Sequence, residues 1–373
     1  MALPHQVQRR TSRGIRIGSV AVGAGAPIAV QSMTNTPTQD VAATVNQILR
    51  LEAAGCEIIR VAVPDLEAAD AIARIKPAIR IPLVADIHFD HRLAIRAARQ
   101  GADALRLNPG NIGGAEPVRQ VVACARDHGL PIRIGVNSGS LEKDLLERYG
   151  GVTAEAMVES ALRQIDRLRT LDFHDVKVSL KASDVPRTLH AYRLLAARTD
   201  LPLHLGVTEA GTLYAGIVKS ALGIGMLLAE GIGDTLRVSL TRDPVEEVRV
   251  GWEILKALRI RQRGPDLVAC PTCGRTQIDL ISIVEQVEAR IQDRQLPIKV
   301  AIMGCVVNGP GEAREADIGI AGGNGIGILF KKGQVVRKFP EEQLVEVLLR
   351  EIDALSAADP QSIRQRPKPG ADR

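Results

Sequence analysis

One unit recurs eight times in the first 260 residues: a short apolar strand, a polar loop and an amphipathic helix. In the first helix Val41, Val45, Ile48 and Leu49 fall on one face at helical spacing. Eight such units in about 230 residues are typical of a parallel (β/α)8 barrel. An open doubly wound sheet is the competing architecture, but no Gly-x-Gly-x-x-Gly segment follows the first strand. The pattern therefore favours a TIM-type barrel.

The strands of this barrel are predicted at residues 28–33, 57–63, 83–86, 104–107, 132–136, 176–180, 203–207 and 235–240. Residues 15–22 alternate and predict a small strand or hairpin before the first of them. Four glycines should end helices in the left-handed conformation: Gly55, Gly101, Gly129 and Gly231.

A smaller domain is expected after the barrel. Residues 261–265, Arg-Gln-Arg-Gly-Pro, form a polar break that is typical of a linker. The sequence then predicts a helix at 279–291, a strand at 298–303, two strands near 318–320 and 327–330, and a helix at 341–355. We expect the barrel to occupy residues 1–260, the small α+β domain residues 261–356, and a disordered tail residues 357–373.

Composition restricts the partners and the compartment. Aromatic residues make up only 2% of the chain, so few rings could stack on the bases of single-stranded nucleic acid. The net charge of +5, with both signs mixed, suits an anionic small molecule or an acidic protein better than DNA. Five cysteines, without the spacing of a disulfide framework, indicate a reducing compartment. With no signal-peptide core and no 18-residue apolar run, we expect a cytoplasmic protein that binds neither membrane nor nucleic acid.

Polar residues lie at the carboxyl ends of the predicted strands, where barrel enzymes carry their active sites. Arg60, Arg106, Arg133 and Lys181 would bring four positive charges into one mouth. A single arginine there would more often pair with a carboxylate and stiffen the barrel, but four together favour a phosphate or diphosphate site. Glu209 is then an isolated carboxylate that could transfer a proton, or else a salt-bridge partner of one cation.

Other polar side chains follow the same strand ends: His88, Asn108, Asn137 and Ser239. His88 is a candidate polar contact for a ligand, although a lone histidine is more often structural.

Three cysteines of the second domain have the spacing of metal ligands. Cys270 and Cys273 are separated by two residues, and Cys305 lies in a glycine-rich segment. Structural zinc, an iron–sulfur cluster and a redox dithiol all use such a pair, but the lack of a fourth cysteine or nearby histidine favours iron–sulfur over zinc. Cys56 and Cys124 are expected to be buried core residues.

The fourth ligand must be another residue or be missing. Glu312 is the nearest candidate, because residues 309–311, Gly-Pro-Gly, could turn its carboxylate back toward Cys305. Glu315 and Asp317 are weaker alternatives.

Several segments resemble one enzyme family. Residues 270–276, Cys-Pro-Thr-Cys-Gly-Arg-Thr, and 303–313, Met-Gly-Cys-Val-Val-Asn-Gly-Pro-Gly-Glu-Ala, are similar to segments of the 4-hydroxy-3-methylbut-2-en-1-yl diphosphate synthases of the methylerythritol phosphate route to isoprenoids. Barrel segments at 30–36, 85–89, 105–113, 134–141 and 206–211 are similar too. The resemblance covers nearly the whole chain except both termini, and it fits the two-domain form of the family.

The resemblance implies that 2-C-methyl-D-erythritol 2,4-cyclodiphosphate is the substrate, which is opened and dehydroxylated with two electrons. It implies a [4Fe-4S] cluster held by Cys270, Cys273, Cys305 and Glu312. It also implies a proton-transfer role for Glu209. The implied substrate contacts, with His88 as a further polar contact, are Arg60, Arg106, Asn108, Arg133, Asn137, Lys181 and Ser239.

The implied reaction also needs partners. No flavin or nicotinamide motif is visible, so electrons must come from flavodoxin or ferredoxin, whose acidic surfaces suit the positive charge of this chain. The carboxylate of Glu312 is a harder and more easily displaced ligand than a thiolate, so a substrate oxygen could replace it in catalysis. The small domain must then close over the mouth, and the short linker favours capping by a second subunit, since the family is similarly dimeric.

Two other functions stay open on the residues alone. A barrel transferase of the pterin-binding kind with a structural zinc domain would be a colourless zinc protein. A non-catalytic, metal-dependent nucleic-acid-binding or sensor protein would bind RNA with a steep salt dependence.

Overall fold

The computed structural model describes residues 7–108, 110–305 and 313–358. Within these ranges the chain forms two compact units that divide between Arg261 and Gln262. None of the described helices is both long enough and apolar enough to span a membrane.

The first unit is a parallel (β/α)8 barrel, as the sequence predicts. It begins with an antiparallel hairpin of β1 (Ile15–Ile17) and β2 (Val20–Val22). The barrel strands are β3 (Ala29–Met33), β4 (Ile58–Ala62), β5 (Leu83–Asp86), β6 (Ala104–Leu107), β7 (Ile132–Asn137), β8 (Val176–Lys181), β9 (His204–Leu205) and β10 (Thr235–Leu236). The helices are α1 (Val41–Ala54), α2 (Leu66–Ile75), α3 (His91–Arg99), α4 (Ala115–Asp127), α5 (Lys143–Arg148), α6 (Ala154–Arg169), α7 (Val185–Ala196), α8 (Leu213–Ala229) and α9 (Pro244–Ala257).

All eight predicted strand positions are confirmed. The hydrogen-bonded order is β8-β7-β6-β5-β4-β3-β10-β9, and a bridge between Val178 and Leu203 brings the two ends of this sheet together. β9 and β10 are shorter than predicted. Regular pairing of β9 stops at Gly206, where the Lys181 amine and the Arg237 carbonyl oxygen fill the space that a side chain would need.

The helix ends follow the sequence signals. An aspartate side chain accepts a backbone N–H at the start of five barrel helices: Asp40, Asp65, Asp90, Asp184 and Asp243. The predicted left-handed glycines are confirmed, with φ of 104° at Gly55, 97° at Gly101, 63° at Gly129 and 78° at Gly231.

The hairpin fills the amino-terminal end of the barrel. Apolar side chains of the hairpin and of the first or second residues of β3 to β6 form one buried cluster: Ile15, Ile17, Val22, Ala29, Ile58, Val84 and Ala104. Because period-2 alternation points Ile15 and Ile17 to the same side, both can enter the barrel while Arg16 stays exposed.

The second unit is a small α+β domain, as predicted. Its elements are β11 (Asp266–Ala269), α10 (Leu280–Ile291), β12 (Lys299–Met303), β13 (Ile318–Gly323), β14 (Ile326–Lys331), β15 (Gln334–Pro340) and α11 (Leu344–Ala358). The sheet order is β11-β12-β13-β14-β15, with the first three strands parallel and the last two antiparallel.

Two strands of this domain were missed by the sequence analysis. β11 is only four residues long and half-exposed, and β15 is an edge strand whose exposed residues include Arg337 and Lys338. Neither shows the buried apolar run that marks a central strand. α11 extends to Ala358, and residues 359–373 of the predicted tail lie outside the described residues.

Ile17→Ala should lower the free energy of unfolding by about 2–5 kcal/mol, because Ile17 is 1% exposed inside the barrel end and its loss leaves a cavity. Urea unfolding followed by circular dichroism measures this. The exposed neighbour provides the control, since Arg16→Ala should change the value by less than about 0.5 kcal/mol. Equal stabilities of the two variants would show that the hairpin does not support the barrel.

Candidate functional site

A cavity of about 260 Å³ lies inside the barrel at the carboxyl ends of the strands. The structure brings together seven of the predicted site residues on its wall: Arg60, His88, Arg106, Arg133, Asn137, Lys181 and Ser239. Met33, Asp86, Ser179, Thr208 and Arg237 complete the lining. We call this space the mouth cavity. Among the described residues, its lining contains five cationic side chains of Arg or Lys and one carboxylate, Asp86.

Asp86 is the centre of the charged network in the mouth cavity. Its Oδ1 lies 3.0 Å from Arg106 Nη1, and its Oδ2 lies 3.6 Å from Arg60 Nε and 3.4 Å from His88 Nε2. Burial alone would raise the pKa of Asp86, but Arg60, the His88 hydrogen bond and Arg106 together hold that pKa far below its ordinary value. Asp86 is therefore a carboxylate that fixes the positions of two guanidinium groups.

Arg60 illustrates the energetic cost of this arrangement. Its burial lowers its pKa to about 10, against the opposing charge of Asp86. Its Nε and Nη2 also lie 3.1 and 2.8 Å from the sulfur of Met33, a weak acceptor. The guanidinium is thus held at the cavity wall by contacts that do not neutralise it fully.

Arg133 and Lys181 have no carboxylate partner among the described residues. Arg133 Nη1 lies 3.5 Å from Ser179 Oγ, and Arg133 Nε has no hydrogen-bond partner within the described chain. Burial, and then the charge of Arg133, lower the pKa of Lys181 well below its ordinary value. Burial and the charges of Arg60 and Arg106 do the same to the pKa of Arg133. Two buried cationic groups that lack a counter-charge are what an anion-binding site requires.

Two glycines leave room for these cations. A Cβ at Gly135 would lie 2.6 Å from Arg106 Nε, and a Cβ at Gly206 would lie 2.6 Å from Lys181 Nζ. Any larger residue at either position would displace the charged group, so both glycines are part of the site.

The sequence analysis missed Arg237 as a site residue. Its guanidinium lines the mouth cavity and pairs with Glu247 of α9, with Nη2 to Oε2 at 3.2 Å. The sequence contained a signal for Arg237. Thr235, Arg237 and Ser239 alternate along the eighth predicted strand, so Arg237 shares one side of that strand with the predicted site residue Ser239.

Glu209 and Asn108 do not belong to the cavity lining. Glu209 is exposed and has φ of 52°, a left-handed conformation that is uncommon for a residue with a side chain. Such conformations cluster at functional sites. Asn108 is buried, and its Oδ1 accepts a hydrogen bond from the Gly110 backbone N–H at 3.1 Å, which shapes the turn after β6.

The predicted cysteine ligands follow two neighbouring strands. Cys270 comes directly after β11 and Cys305 two residues after β12, and these strands pair in parallel with Ala269 opposite Ile302. The carboxyl ends of parallel strands meet at one sheet edge, so both cysteine segments start there. The Gly304 N–H donates to Cys270 Sγ at 3.1 Å.

The chemistry of these donors fits an iron–sulfur group. The three cysteines are free thiols, and backbone N–H groups on sulfur are a common feature of such sites. Hydrogen bonds from Arg275, first from its backbone N–H, lower the pKa of the exposed Cys273 thiol. Within the described residues no three candidate ligands form a metal-binding group, and Glu312 lies outside that part of the chain.

The weaker alternatives for the fourth ligand have other partners. Glu315 lies 3.4 Å from Lys299 Nζ, and Asp317 accepts the Lys299 backbone N–H at 2.8 Å. Lys299 begins β12, whereas Cys305 follows its end, so both carboxylates lie toward the opposite end of the strand. Glu312 stays the preferred candidate.

The other two cysteines, Cys56 and Cys124, are buried, as predicted, and burial raises the pKa of the Cys56 thiol to about 12.

A barrel with a cationic mouth, joined to a small α+β domain with three free thiols, is the class of protein that the fold and these sites define. Family models identify it further: the GcpE TIM-barrel domain matches residues 12–252, and the GcpE protein C-terminal domain matches residues 266–354. The chain therefore belongs to the GcpE family.

Two similar proteins carry the same name. The protein named 4-hydroxy-3-methylbut-2-en-1-yl diphosphate synthase (flavodoxin) from Geobacter sulfurreducens is 60% identical over 346 residues, which cover 93% of this chain and 98% of that protein. The protein of the same name from Desulfotalea psychrophila is 59% identical over 352 residues, covering 94% and 97%. The resemblance seen in the sequence is thereby confirmed.

Lys181 should take up a proton when inorganic pyrophosphate binds in the mouth cavity. The pKa of Lys181 is lowered in the protein alone and a neighbouring anion raises it, so the contribution of Lys181 to affinity should increase as pH falls through the window between the two values. Calorimetry in two buffers of different ionisation enthalpy measures the uptake. Lys181→Met should reduce it and weaken binding about tenfold or more. The exposed-site control Lys338→Met should change neither, and an unchanged proton count in Lys181→Met would contradict the assignment.

Proposed function

We propose that this protein catalyses the reductive ring opening and dehydroxylation of 2-C-methyl-D-erythritol 2,4-cyclodiphosphate to 4-hydroxy-3-methylbut-2-en-1-yl diphosphate, a step of isoprenoid biosynthesis in the cytoplasm. The observation that carries this proposal is the mouth cavity, in which five cationic side chains face a single carboxylate. A cyclic diphosphate supplies the missing negative charge. Membership of the GcpE family supports the same reaction.

The chain's own residues would bind and orient the substrate. Arg133 and Lys181, which lack carboxylate partners in the described structure, are the best placed to accept the diphosphate charge. Arg60 and Arg106 are pre-oriented by Asp86, so little side-chain freedom is lost when they grip an oxygen. Asn137 and Ser239 add neutral hydrogen bonds at the wall, and Asn108 shapes the adjacent turn.

The reaction consumes two electrons and two protons per substrate and releases one water. The departing hydroxyl needs a proton, and we assign its transfer to Glu209, with His88 as a polar contact whose ring is oriented by Asp86 at 3.4 Å. Glu209 is exposed at a strand end, so it can exchange its proton with solvent before the next turnover.

Electrons would be supplied one at a time by a [4Fe-4S] cluster held by Cys270, Cys273, Cys305 and Glu312. The Gly304 N–H donates a hydrogen bond to Cys270 Sγ, and such a bond would orient the sulfur as a ligand. Flavodoxin is the proposed external electron donor, since the names of the relatives include it, and ferredoxin is the alternative.

A homodimer is part of this proposal, with the cluster domain of one subunit capping the partner barrel. An apolar stripe on α8 supports it: Tyr214, Val218, Leu222 and Met226 are 84%, 57%, 49% and 42% exposed. Their spacing of four residues places them on one helix face, and contiguous exposed apolar surface is typical of an interface.

Arg106→Ala should weaken the apparent substrate affinity about tenfold to a hundredfold and leave the iron content unchanged, because the guanidinium lies in the mouth cavity. Steady-state kinetics with a chemical reductant and iron analysis measure both. Arg119→Ala, which alters an exposed pair on α4, is the matched control. An unaltered affinity in Arg106→Ala would refute the phosphate role.

Glu312→Ala should leave a brown protein with little turnover, because the thiolates remain but the displaceable ligand is lost. An anaerobic absorption spectrum with iron and sulfide analysis, together with a turnover assay, measures this. Glu315→Ala is the control and should retain both cluster and activity. Full activity in Glu312→Ala would remove it from the ligand set, and a colourless zinc protein would favour the transferase alternative.

Val218→Glu should convert the dimer to a monomer, since it places a charge in the middle of the apolar stripe. Size-exclusion chromatography with light scattering gives the mass. Arg167→Glu, an exposed change on α6, should leave the mass unaltered. A Val218→Glu protein that stays dimeric would show that the interface lies elsewhere.

A further inference from the structure

Lys177 is a further buried cationic residue. It lies below the mouth cavity and has no role assigned in the proposed reaction. Lys177 is 2% exposed and stands opposite Arg133 in the pairing of β8 with β7. Along β8 the alternating residues Lys177, Ser179 and Lys181 share one side of the strand. Lys177 is therefore two positions deeper in the barrel than Ser179 and four deeper than Lys181.

The surroundings of Lys177 are polar but do not neutralise it. Its Nζ lies 3.3 Å from Thr235 Oγ1, which is also 2.9 Å from His204 Nδ1. No carboxylate lies within ion-pair distance of Lys177 among the described residues. Asp234 is the carboxylate that acts on Lys177 over longer range. It already accepts hydrogen bonds from Arg9 at 3.1 Å, from Ser12 at 2.7 Å and from the Leu203 N–H at 2.9 Å.

A small internal cavity adjoins this amine. It has a volume of about 10 Å³, and its polar lining consists of Gln31, Arg133 and Lys177. Both amide atoms of Gln31 and the Nε of Arg133 are buried without partners in the described structure. A space of this size suits about one water, and these three groups are its natural hydrogen-bond partners. Arg133 also lines the mouth cavity, so it connects the two spaces.

Packing does not explain a lysine at this position. A buried cation without a carboxylate partner destabilises the fold, and methionine has a similar length without that penalty. The charge of Lys177 therefore has another role. Lys177 and Arg133 repel each other, and this repulsion from below opposes that of Arg60 and Arg106 on the mouth side, so it helps to keep the Arg133 guanidinium at the mouth cavity.

We propose that Lys177 is a positioning residue of the anion site: from one layer below, its charge strengthens the attraction of the mouth cavity for a diphosphate and directs Arg133 toward it. This inference rests on the proposed function, because it takes the mouth cavity to be the diphosphate site. A water in the small cavity, hydrogen-bonded to Gln31, Arg133 and Lys177, would complete the support of Arg133 from beneath.

The protonation of Lys177 depends on its burial and on the charges around it. Burial, and then the charge of Arg133, lower its pKa well below the ordinary value. The charged groups that act on it are Arg133 from β7, Asp234 beside β10 and Arg60 from β4, and its hydrogen-bond partner Thr235 also contacts His204 of β9. Burial and the charge of Arg133 also lower the pKa of His204, so the imidazole is neutral and adds no counter-charge. An anion in the mouth cavity raises the pKa of Lys177 and thereby favours its charged form.

The test compares Lys177→Met with the wild type as anaerobically purified full-length protein, using calorimetric titration with inorganic pyrophosphate and with inorganic phosphate. We expect Lys177→Met to bind pyrophosphate about threefold to tenfold more weakly. The loss for phosphate should be smaller, because an electrostatic effect scales with ligand charge whereas a distorted site would weaken both equally. The urea midpoint of unfolding should be unchanged or higher.

Two further variants keep this test decisive. Lys338→Met removes one charge from an exposed strand and should bind both anions as the wild type does. Lys177→Gln retains a donor for Thr235 without a charge and replaces Lys177→Met if that protein does not fold; it should show the same graded loss. Wild-type affinity in a folded neutral variant would overturn the inference while leaving the proposed function intact. A wild-type protein that does not bind pyrophosphate would instead refute the anion site itself.

Discussion

Excess positive charge inside the barrel is the constraint on which the rest of the structure depends. Among the described residues that line the mouth cavity, Asp86 orients Arg60 and Arg106, while Glu247 of α9 orients Arg237 from outside the lining. Arg133 and Lys181 have no such partner in the described structure. Buried unpaired charge raises the free energy of the folded barrel, and a bound anion would lower that free energy again. The cavity is thus complementary to its ligand in charge before the ligand arrives.

The barrel can support this charge because its interior is divided. At the amino-terminal end, β3 to β6 and the hairpin form an aliphatic cluster, which stabilises the fold through ordinary apolar burial. The opposite side, on β7 to β10, carries Arg133, Lys177, His204 and Thr235 instead. At this level of the barrel, apolar and charged side chains are therefore provided by different strands, whereas Arg60 and Arg106 lie two residues further along β4 and β6. At Gly135 and Gly206 the absence of a side chain leaves room for the cationic groups of Arg106 and Lys181.

Most of the fold and much of the site could be predicted from the sequence, because both depend on local periodicity. Strand ends in a (β/α)8 barrel share one rim, so Arg60, Arg106, Arg133 and Lys181 could be placed together without any coordinates. The rest could not be predicted, because it depends on contacts that local periodicity does not contain. The side chain of Asn108 turns back to its own loop, β15 is too polar to look like a strand, and the partnership of Arg237 with Glu247 depends on how α9 packs on β10.

The hairpin at the amino-terminal end of the barrel restricts how a ligand can enter and leave. Since Ile15, Ile17 and Val22 plug that end, a molecule inside the mouth cavity has the rim as its route in and its route out. A second subunit that covers the rim, as proposed above, would also hold the product inside. Each turnover would then include an opening step, and the rate of that step would set an upper limit on turnover however fast the bond-breaking is.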